Sequence, residues 1–118
     1  MDKNKRLDPL ALEIGKRIAE RRDQLGLTQD QAAEKAGLSQ QFLACVERGL
    51  KNMRAESIIK ISQGLRISPE YLLTGAVSDT DRHYFVDMIA PLNGKQLRCY
   101  EEITKNYLIA CGYDSPEE

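Results

Sequence analysis

Two adjacent glutamines, Gln40 and Gln41, directly follow a serine that is suited to cap a helix. A glutamine amide both donates and accepts hydrogen bonds, so it can pair with two atoms on the edge of one adenine in the major groove of DNA. The first residues of a recognition helix are the ones that enter this groove. The pair therefore predicts base contacts, with Ser39 as the cap of the helix that carries them.

Two short helices are predicted to position these glutamines. Thr28 and Gln31 form a capping box that begins the first helix, and Gly37 is placed to end it. Ser39 begins the second helix and Gly49 ends it. Because each helix has only about two turns, both must bury one face to be stable. The residues expected on the buried faces are Ala32, Ala33, Ala36, Leu43 and Val46.

Three further helices are expected around this pair. Apolar residues recur at helical spacing between residues 9 and 25 and again between residues 58 and 65, which predicts a first and a fourth helix. A proline after Ser68 opens a short fifth helix, since proline at the first helical position loses no hydrogen bond. The apolar residues are Leu10, Ile14, Ile18 and Leu25 in the first helix, Ile58, Ile59, Ile61 and Leu65 in the fourth, and Tyr71, Leu72 and Leu73, which would close the core, in the fifth.

The order and spacing of these segments resemble the helix-turn-helix domain of the lambdoid phage repressors and of the bacterial regulators of the xenobiotic-response-element type. Four stretches between residues 14 and 75 carry the resemblance, and they read Ile-Gly-Lys-Arg-Ile, Leu-Gly-Leu-Thr-Gln, Ser-Gln-Gln and Ile-Ser-Pro-Glu-Tyr-Leu-Leu. The resemblance implies an all-α protein in which residues 9–75 form a five-helix repressor-like domain. Such a domain binds operator DNA, usually as a symmetric dimer.

The resemblance also implies roles for residues of the two short helices. Gln29 matches a phosphate-binding glutamine, and Gln40 and Gln41 match base-contacting positions. Ala44 and Cys45 face the groove in the family pattern, where polar or basic residues are more usual. Without a long donor at this position, Cys45 is expected to supply shape or a contact to a thymine methyl group.

Four other residues have a structural interpretation, which for Phe42 is one of two alternatives. Arg22 and Glu47 match an internal salt bridge between the first helix and the recognition helix. Phe42 either joins the recognition surface or folds back onto the core. Arg66 replaces the glycine or asparagine of many relatives, so a positive φ at this position would strain the backbone.

Charge is distributed unevenly along the chain, although the formal net charge is only −1. Residues 1–75 contain 13 basic and 10 acidic residues, whereas residues 76–118 contain 4 and 8. Phosphate attraction depends on where charge lies, so the loop after the recognition helix is expected to contact the DNA backbone. A basic N-terminal arm is either another such contact or a disordered solubilising tail. The loop residues are Lys51, Asn52 and Arg54, and the arm residues are Lys3, Lys5 and Arg6.

Residues 78–112 are expected to form a C-terminal helical hairpin. Five of the seven aromatic residues lie in the last 43 positions, whereas disordered tails contain few aromatics. Ser78 with Asp81 and Asn93 with Gln96 would cap its two helices. Because two helices alone bury little surface, we expect this hairpin to form a homodimer, with packing on the protomer's own core as the alternative. The apolar face of its second helix contains Leu97, Tyr100, Ile103, Tyr107 and Cys111.

Other functions find less support in the sequence. The single histidine, His83, has no carboxylate or cysteine constellation beside it, so neither an enzyme nor a metal or cofactor is expected. No apolar stretch is long enough for a membrane span and no signal peptide is recognisable, so we expect a cytoplasmic protein. Two alternatives stay open. The acidic hairpin could bind a toxin while the N-terminal half autoregulates, or Cys45 or Cys111 could sense oxidation through a lowered thiol pKa.

Overall fold

The computed structural model describes residues 8–112, in which all regular secondary structure is helical. The helices are α1 (Pro9–Gln24), α2 (Gln29–Ala36), α3 (Gln40–Glu47), α4 (Ala55–Leu65), α5 (Pro69–Thr74), α6 (Asp79–Ile89) and α7 (Gly94–Ala110). This order confirms the prediction of an all-α protein with five helices followed by a helical hairpin.

The predicted ends of α2 and α3 are confirmed by their hydrogen bonds. The Thr28 hydroxyl accepts a hydrogen bond from the Gln31 backbone N–H at 3.1 Å, and the Gln31 side chain accepts one from the Thr28 backbone N–H at 2.9 Å. The Ser39 hydroxyl accepts a hydrogen bond from the Phe42 backbone N–H at 3.0 Å. Gly37 ends α2 with a φ of 72°, a left-handed conformation that glycine adopts at little steric cost.

One hydrophobic core joins α1 to α5. It contains all five residues expected from α2 and α3, and α1, α4 and α5 contribute Ile18, Ile61, Leu65 and Leu72. Full burial of a leucine or isoleucine side chain contributes about 1.5 to 3 kcal/mol relative to leaving it exposed. Tertiary packing therefore supplies the stability that two-turn helices lack in isolation.

Three apolar residues of the predicted helices lie outside this core, and for Leu73 this contradicts the prediction that it would close the core. Leu10, Ile59 and Leu73 are 54%, 51% and 36% exposed. Successive residues of a helix point about 100° apart, so the neighbour of a buried position usually faces solvent. In α1 the buried face runs instead through the small residues Ala11 and Gly15.

Two glycines inside helices allow neighbouring main chains to meet. A Cβ on Gly15 would collide with the carbonyl oxygen of Val46 and lie 2.8 Å from that of Glu47, so α1 and α3 are in close contact. A Cβ on Gly64 would lie 2.7 Å from the Cα of Ala36, which brings α4 equally close to α2. Glycine inside a helix costs about 0.5 to 1 kcal/mol relative to alanine, and close packing offsets that cost here.

The Asp81 carboxylate connects the start of α5 with the start of α6. One oxygen accepts a hydrogen bond from the Ser68 backbone N–H at 2.7 Å, and the other accepts from the Ser68 hydroxyl at 2.7 Å and the Ser78 backbone N–H at 2.8 Å. Pairing of Ser78 with Asp81 is confirmed, whereas the link to Ser68 is not predicted by the sequence. Burial raises the pKa of the Asp81 carboxyl, but the hydrogen bonds from Ser78 and Ser68 outweigh burial and hold this pKa below its usual value.

Arg66 adopts the left-handed backbone conformation that its position suggested. Its φ is 54°, and it is the one non-glycine residue with a positive φ among residues 8–112. The guanidinium carbon lies 4.9 Å from the centre of the Tyr84 ring, close enough for a cation–π interaction. The ring contact offsets part of the backbone strain.

The described residues fall into two compact units, divided between Tyr84 and Phe85 within α6. In the second unit, the rings of Phe85 and Tyr100 lie 5.7 Å apart, and the capping box of Asn93 and Gln96 begins α7 as predicted. None of the residues from 85 to 112 is buried. The large apolar side chains exposed in this unit are Phe85, Val86, Met88, Leu97, Ile103, Tyr107, Leu108 and Ile109.

Candidate nucleic-acid interface

The turn between α2 and α3 leaves the start of α3 open to solvent. Gln40 and Gln41 occupy the first two positions of α3, and both side chains are exposed. Ser39 precedes them as the cap, while Leu43 and Val46 hold the opposite face of α3 in the core. Both glutamines that were expected to contact bases therefore lie at an exposed helix start.

Behind this surface, Arg22 of α1 and Glu47 of α3 form the salt bridge that the family resemblance implied. The Nε and Nη2 atoms of Arg22 donate hydrogen bonds to the two Glu47 carboxylate oxygens at 2.7 and 3.1 Å. The Glu47 side chain is only 6% exposed, so the charge needs this partner. The hydrogen bond with Glu47 also raises the pKa of the Arg22 guanidinium. The pair fixes the end of the recognition helix to α1.

The same carboxylate holds Gln29, and Gln29 in turn holds Gln40. Gln29 Nε2 donates a hydrogen bond to Glu47 Oε1 at 3.0 Å, and Gln29 Oε1 accepts one from Gln40 Nε2 at 2.8 Å. These three side chains therefore join the start of α2 to both ends of α3. The sequence does not predict this chain of hydrogen bonds, because its members lie 11 and 18 positions apart and meet only through the angle between α2 and α3.

Phe42 folds back onto the core, which is the second of the two alternatives that its position allowed. Its ring is partly buried and packs against the hydrophobic core. The Lys51 ammonium lies 5.6 Å from the centre of this ring, within range of a cation–π interaction. Phe42 thus supports a cation at the edge of the exposed surface.

The remaining candidate residues lie on α3 and on the segment that follows it. Ala44 and Cys45 are half-buried, and the Cys45 thiol is free. Lys51, Asn52 and Arg54 are exposed in the segment between α3 and α4. The basic arm of Lys3, Lys5 and Arg6 lies outside the described residues.

Side chains that could bind a metal ion are dispersed over the described part of the chain. Among the described residues, no three His, Cys, Asp or Glu side chains are grouped so that they could hold a metal ion. His83 is exposed on α6. Across residues 8–112, no helix combines the length and the apolar character that crossing a membrane requires.

The chain is similar to known regulators over the part that contains the exposed glutamines. A family profile described as helix-turn-helix matches residues 18–72. The uncharacterized HTH-type transcriptional regulator y4dJ of Sinorhizobium fredii is 34% identical over 61 residues, which cover 52% of this chain and 79% of that protein. Repressor protein C2 of Salmonella phage P22 is 32% identical over 71 residues, which cover 60% of this chain and 33% of that protein.

A solved structure extends the similarity beyond the matched profile. The structure of the SinR protein/SinI protein complex aligns with a TM-score of 0.51 and 29% sequence identity, covering 78% of this chain and 94% of the matched chain. This share of the chain is larger than the span of residues 18–72.

Proposed function

This chain belongs to the helix-turn-helix transcriptional regulators of the xenobiotic-response-element type, and we propose that it represses transcription by binding a symmetric operator as a homodimer. Its helix-turn-helix unit is DNA-binding and repressor-like. In the proposed mechanism the bound dimer covers a promoter and excludes polymerase. It would act where the chromosome lies, in the cytoplasm.

The observation that carries the proposal is the exposed glutamine pair at the start of α3. After donating one hydrogen bond to Gln29, Gln40 keeps its amide oxygen and a second N–H. An acceptor and a donor side by side match the edge of adenine in the major groove. We therefore assign base readout to Gln40 and Gln41, with Ser39 at the cap contributing at the groove edge.

Affinity in this proposal comes from phosphate contacts around the glutamine pair. Gln29 begins α2, and Lys51, Asn52 and Arg54 are exposed in the segment after α3. Cations near phosphates release counterions on binding, so affinity should fall steeply as salt rises. Of the remaining α3 residues, Ala44 and Cys45 would contribute shape or a thymine-methyl contact, and Phe42 would act mainly by supporting Lys51.

Dimerisation is assigned to the C-terminal hairpin, residues 78–112. The second unit leaves Ile103, Tyr107 and Ile109 about two-thirds exposed, at 67%, 66% and 66%. Ile103 and Tyr107 lie one turn apart on α7, so these two exposed side chains share a face, and exposed apolar surface marks interaction sites in proteins. A two-fold contact between two hairpins would suit two recognition helices that enter half-sites about 34 Å apart.

Selection of bound fragments from random duplex DNA tests the proposed function. A palindromic consensus with half-sites about one helical turn apart is the expected result. Sedimentation should give a dimer at micromolar concentration, and Ile103→Asp should shift it toward the monomer. Failure to prefer any duplex over random competitor at moderate ionic strength would refute operator binding, and a monomeric wild-type chain would refute the dimer.

A second candidate function is an antitoxin-type role, in which residues 76–118, with 8 acidic and 4 basic residues, bind a basic toxin. The exposed apolar side chains of residues 85–112 favour a protein partner, and the solved relative was determined as a complex of SinR with SinI. Co-purification of a small basic protein with the full chain, lost in Ile103→Asp, would support this candidate over self-association.

A further inference from the structure

We propose, building on the assignment of base readout to Gln40, that Glu47 is a positioning residue that determines base specificity. Its carboxylate accepts a hydrogen bond from Gln29, and Gln40 lies at the opposite end of the same helix, α3. Glu47 sets the orientation of the Gln29 amide, and Gln29 sets the orientation of the Gln40 amide that faces the base. Glu47 would thus decide in which order Gln40 presents its donor and its acceptor to the base.

A carboxylate accepts hydrogen bonds and donates none. Arg22 donates to both Glu47 oxygens, so both oxygens act as acceptors in a place where this side chain is only 6% exposed. Gln29 can therefore meet Glu47 only with its NH₂ group, at the observed 3.0 Å. Because an amide is planar, the Gln29 oxygen must then point away from the carboxylate.

The same restriction applies to the Gln40 amide. The Gln29 oxygen accepts only, so Gln40 must approach it with its NH₂ group, at the observed 2.8 Å. Turning the Gln40 amide by 180° would bring two oxygens together without a hydrogen between them. The Gln40 oxygen and its second N–H are left for the base, in one defined order.

Replacing Glu47 with glutamine would remove the acceptor-only group that fixes this order. A side-chain amide offers either a donor or an acceptor to Gln29, so both orientations of Gln29 and of Gln40 become possible. The base-reading edge would then present its donor and acceptor in either order. Discrimination at the base pair next to Gln40 should fall even where overall DNA binding persists.

The test measures full-length variants on the selected operator and on operators carrying each other base pair at the Gln40 position. That position is defined as the one where Gln40→Ala relaxes selection. A good bidentate base contact discriminates by roughly 5- to 150-fold, so Glu47→Gln should reduce the ratio of dissociation constants there by at least about fivefold. Ratios at other positions should not change.

Two further variants separate orientation from folding. Gln29→Leu breaks the chain in its middle but leaves the Arg22–Glu47 pair intact, so it should lose the same discrimination while staying folded by circular dichroism. Arg22→Lys keeps a cation beside Glu47 but loses the bidentate pair of hydrogen bonds. It should lower the thermal midpoint and keep discrimination. If Glu47→Gln does not fold, full discrimination in Gln29→Leu still overturns the role of Glu47, because Gln29 is the residue that joins Glu47 to Gln40.

The outcomes separate this inference from the proposed function. Full discrimination in Glu47→Gln or in Gln29→Leu, when Gln40→Ala relaxes selection as expected, overturns the role of Glu47 alone. Equal loss of discrimination in Arg22→Lys also overturns it, since general destabilisation would then explain the effect. If Gln40→Ala relaxes no position, base readout by Gln40 fails and the role of Glu47 fails with it.

Discussion

Residues 8–84 and residues 85–112 are stabilised in different ways. The first unit buries whole side chains from five helices, and Leu43 and Ile61 are at most 1% exposed. In the second unit no described residue is buried, and Ile103 is 67% exposed. Both units nevertheless contain well-formed helices with capping boxes. Local capping chemistry can therefore define a helix without providing it with a core, and the second unit is the one that gains most from another surface.

The largest expected effect comes from matched truncations in the two units. Leu43→Ala removes a fully buried side chain and should lower the free energy of unfolding by about 2 to 5 kcal/mol. Ile103→Ala should change it by no more than about 0.5 kcal/mol, because its side chain is mostly in solvent. Urea denaturation at a concentration where the chain is monomeric measures both. Equal losses would mean that Ile103 is packed within the protomer, contrary to this comparison.

A matched pair of glycine substitutions sharpens the same contrast. Gly15→Ala places a Cβ against the backbone of α3 and should cost about 1 to 3 kcal/mol of stability. Gly94→Ala, at the start of α7, meets no atom within 4 Å and should be neutral or stabilising by about 0.5 kcal/mol. Thermal unfolding followed by circular dichroism distinguishes the two. A neutral Gly15→Ala would show that α1 and α3 can move apart freely.

Two substitutions in the first unit separate base readers from phosphate anchors. Gln40→Ala should cost about 1 to 3 kcal/mol of binding free energy at one base position and relax selection there. Lys51→Ala should weaken binding to all sequences nearly alike and reduce the salt dependence. Titration of variant operators at several salt concentrations provides the measurement. Uniform loss of affinity in both variants would contradict the division of roles.

The smallest expected effect concerns acid stability at the junction of α5 and α6. The folded-state pKa of Asp81 is depressed, so its contribution is complete above the unfolded pKa near 3.9 and is lost as pH falls through the lower folded value. Asp81→Asn should therefore cost about 1 kcal/mol at neutral pH, a modest figure because the group is partly solvated. The difference from wild type should shrink below about pH 4. A pH-independent difference in denaturation midpoints would exclude this linkage.

Features set by neighbouring residues were predictable from the sequence. The caps of α2, α3 and α7 depend on residues three positions apart, and each forms as expected. The alanines of α2 are buried, as are Leu43 and Val46 of α3, because helical spacing alone assigns them to one face. Base and phosphate contacts remain predictions, since they depend on DNA.

Features that depend on the angle between helices could not be predicted in the same way. Leu10 is exposed because the buried face of α1 runs through Ala11 and Gly15, and the close approach to α3 at Gly15 is not revealed by apolar spacing. The hydrogen bonds among Gln29, Gln40 and Glu47 likewise require the crossing of α2 and α3. Asp81 combines both cases, since its pairing with Ser78 is local and its link to Ser68 is not.

Main-chain contact at Gly15 and Gly64 has a consequence for the DNA itself. Helices that touch without intervening side chains have little room to tilt. The recognition helix should therefore keep a fixed orientation when it binds the duplex. Adjustment on complex formation then falls mostly on the double helix, through bending, twisting and changes in groove width. Base pairs that no side chain reaches should therefore still influence affinity, through the stiffness of their stacking steps.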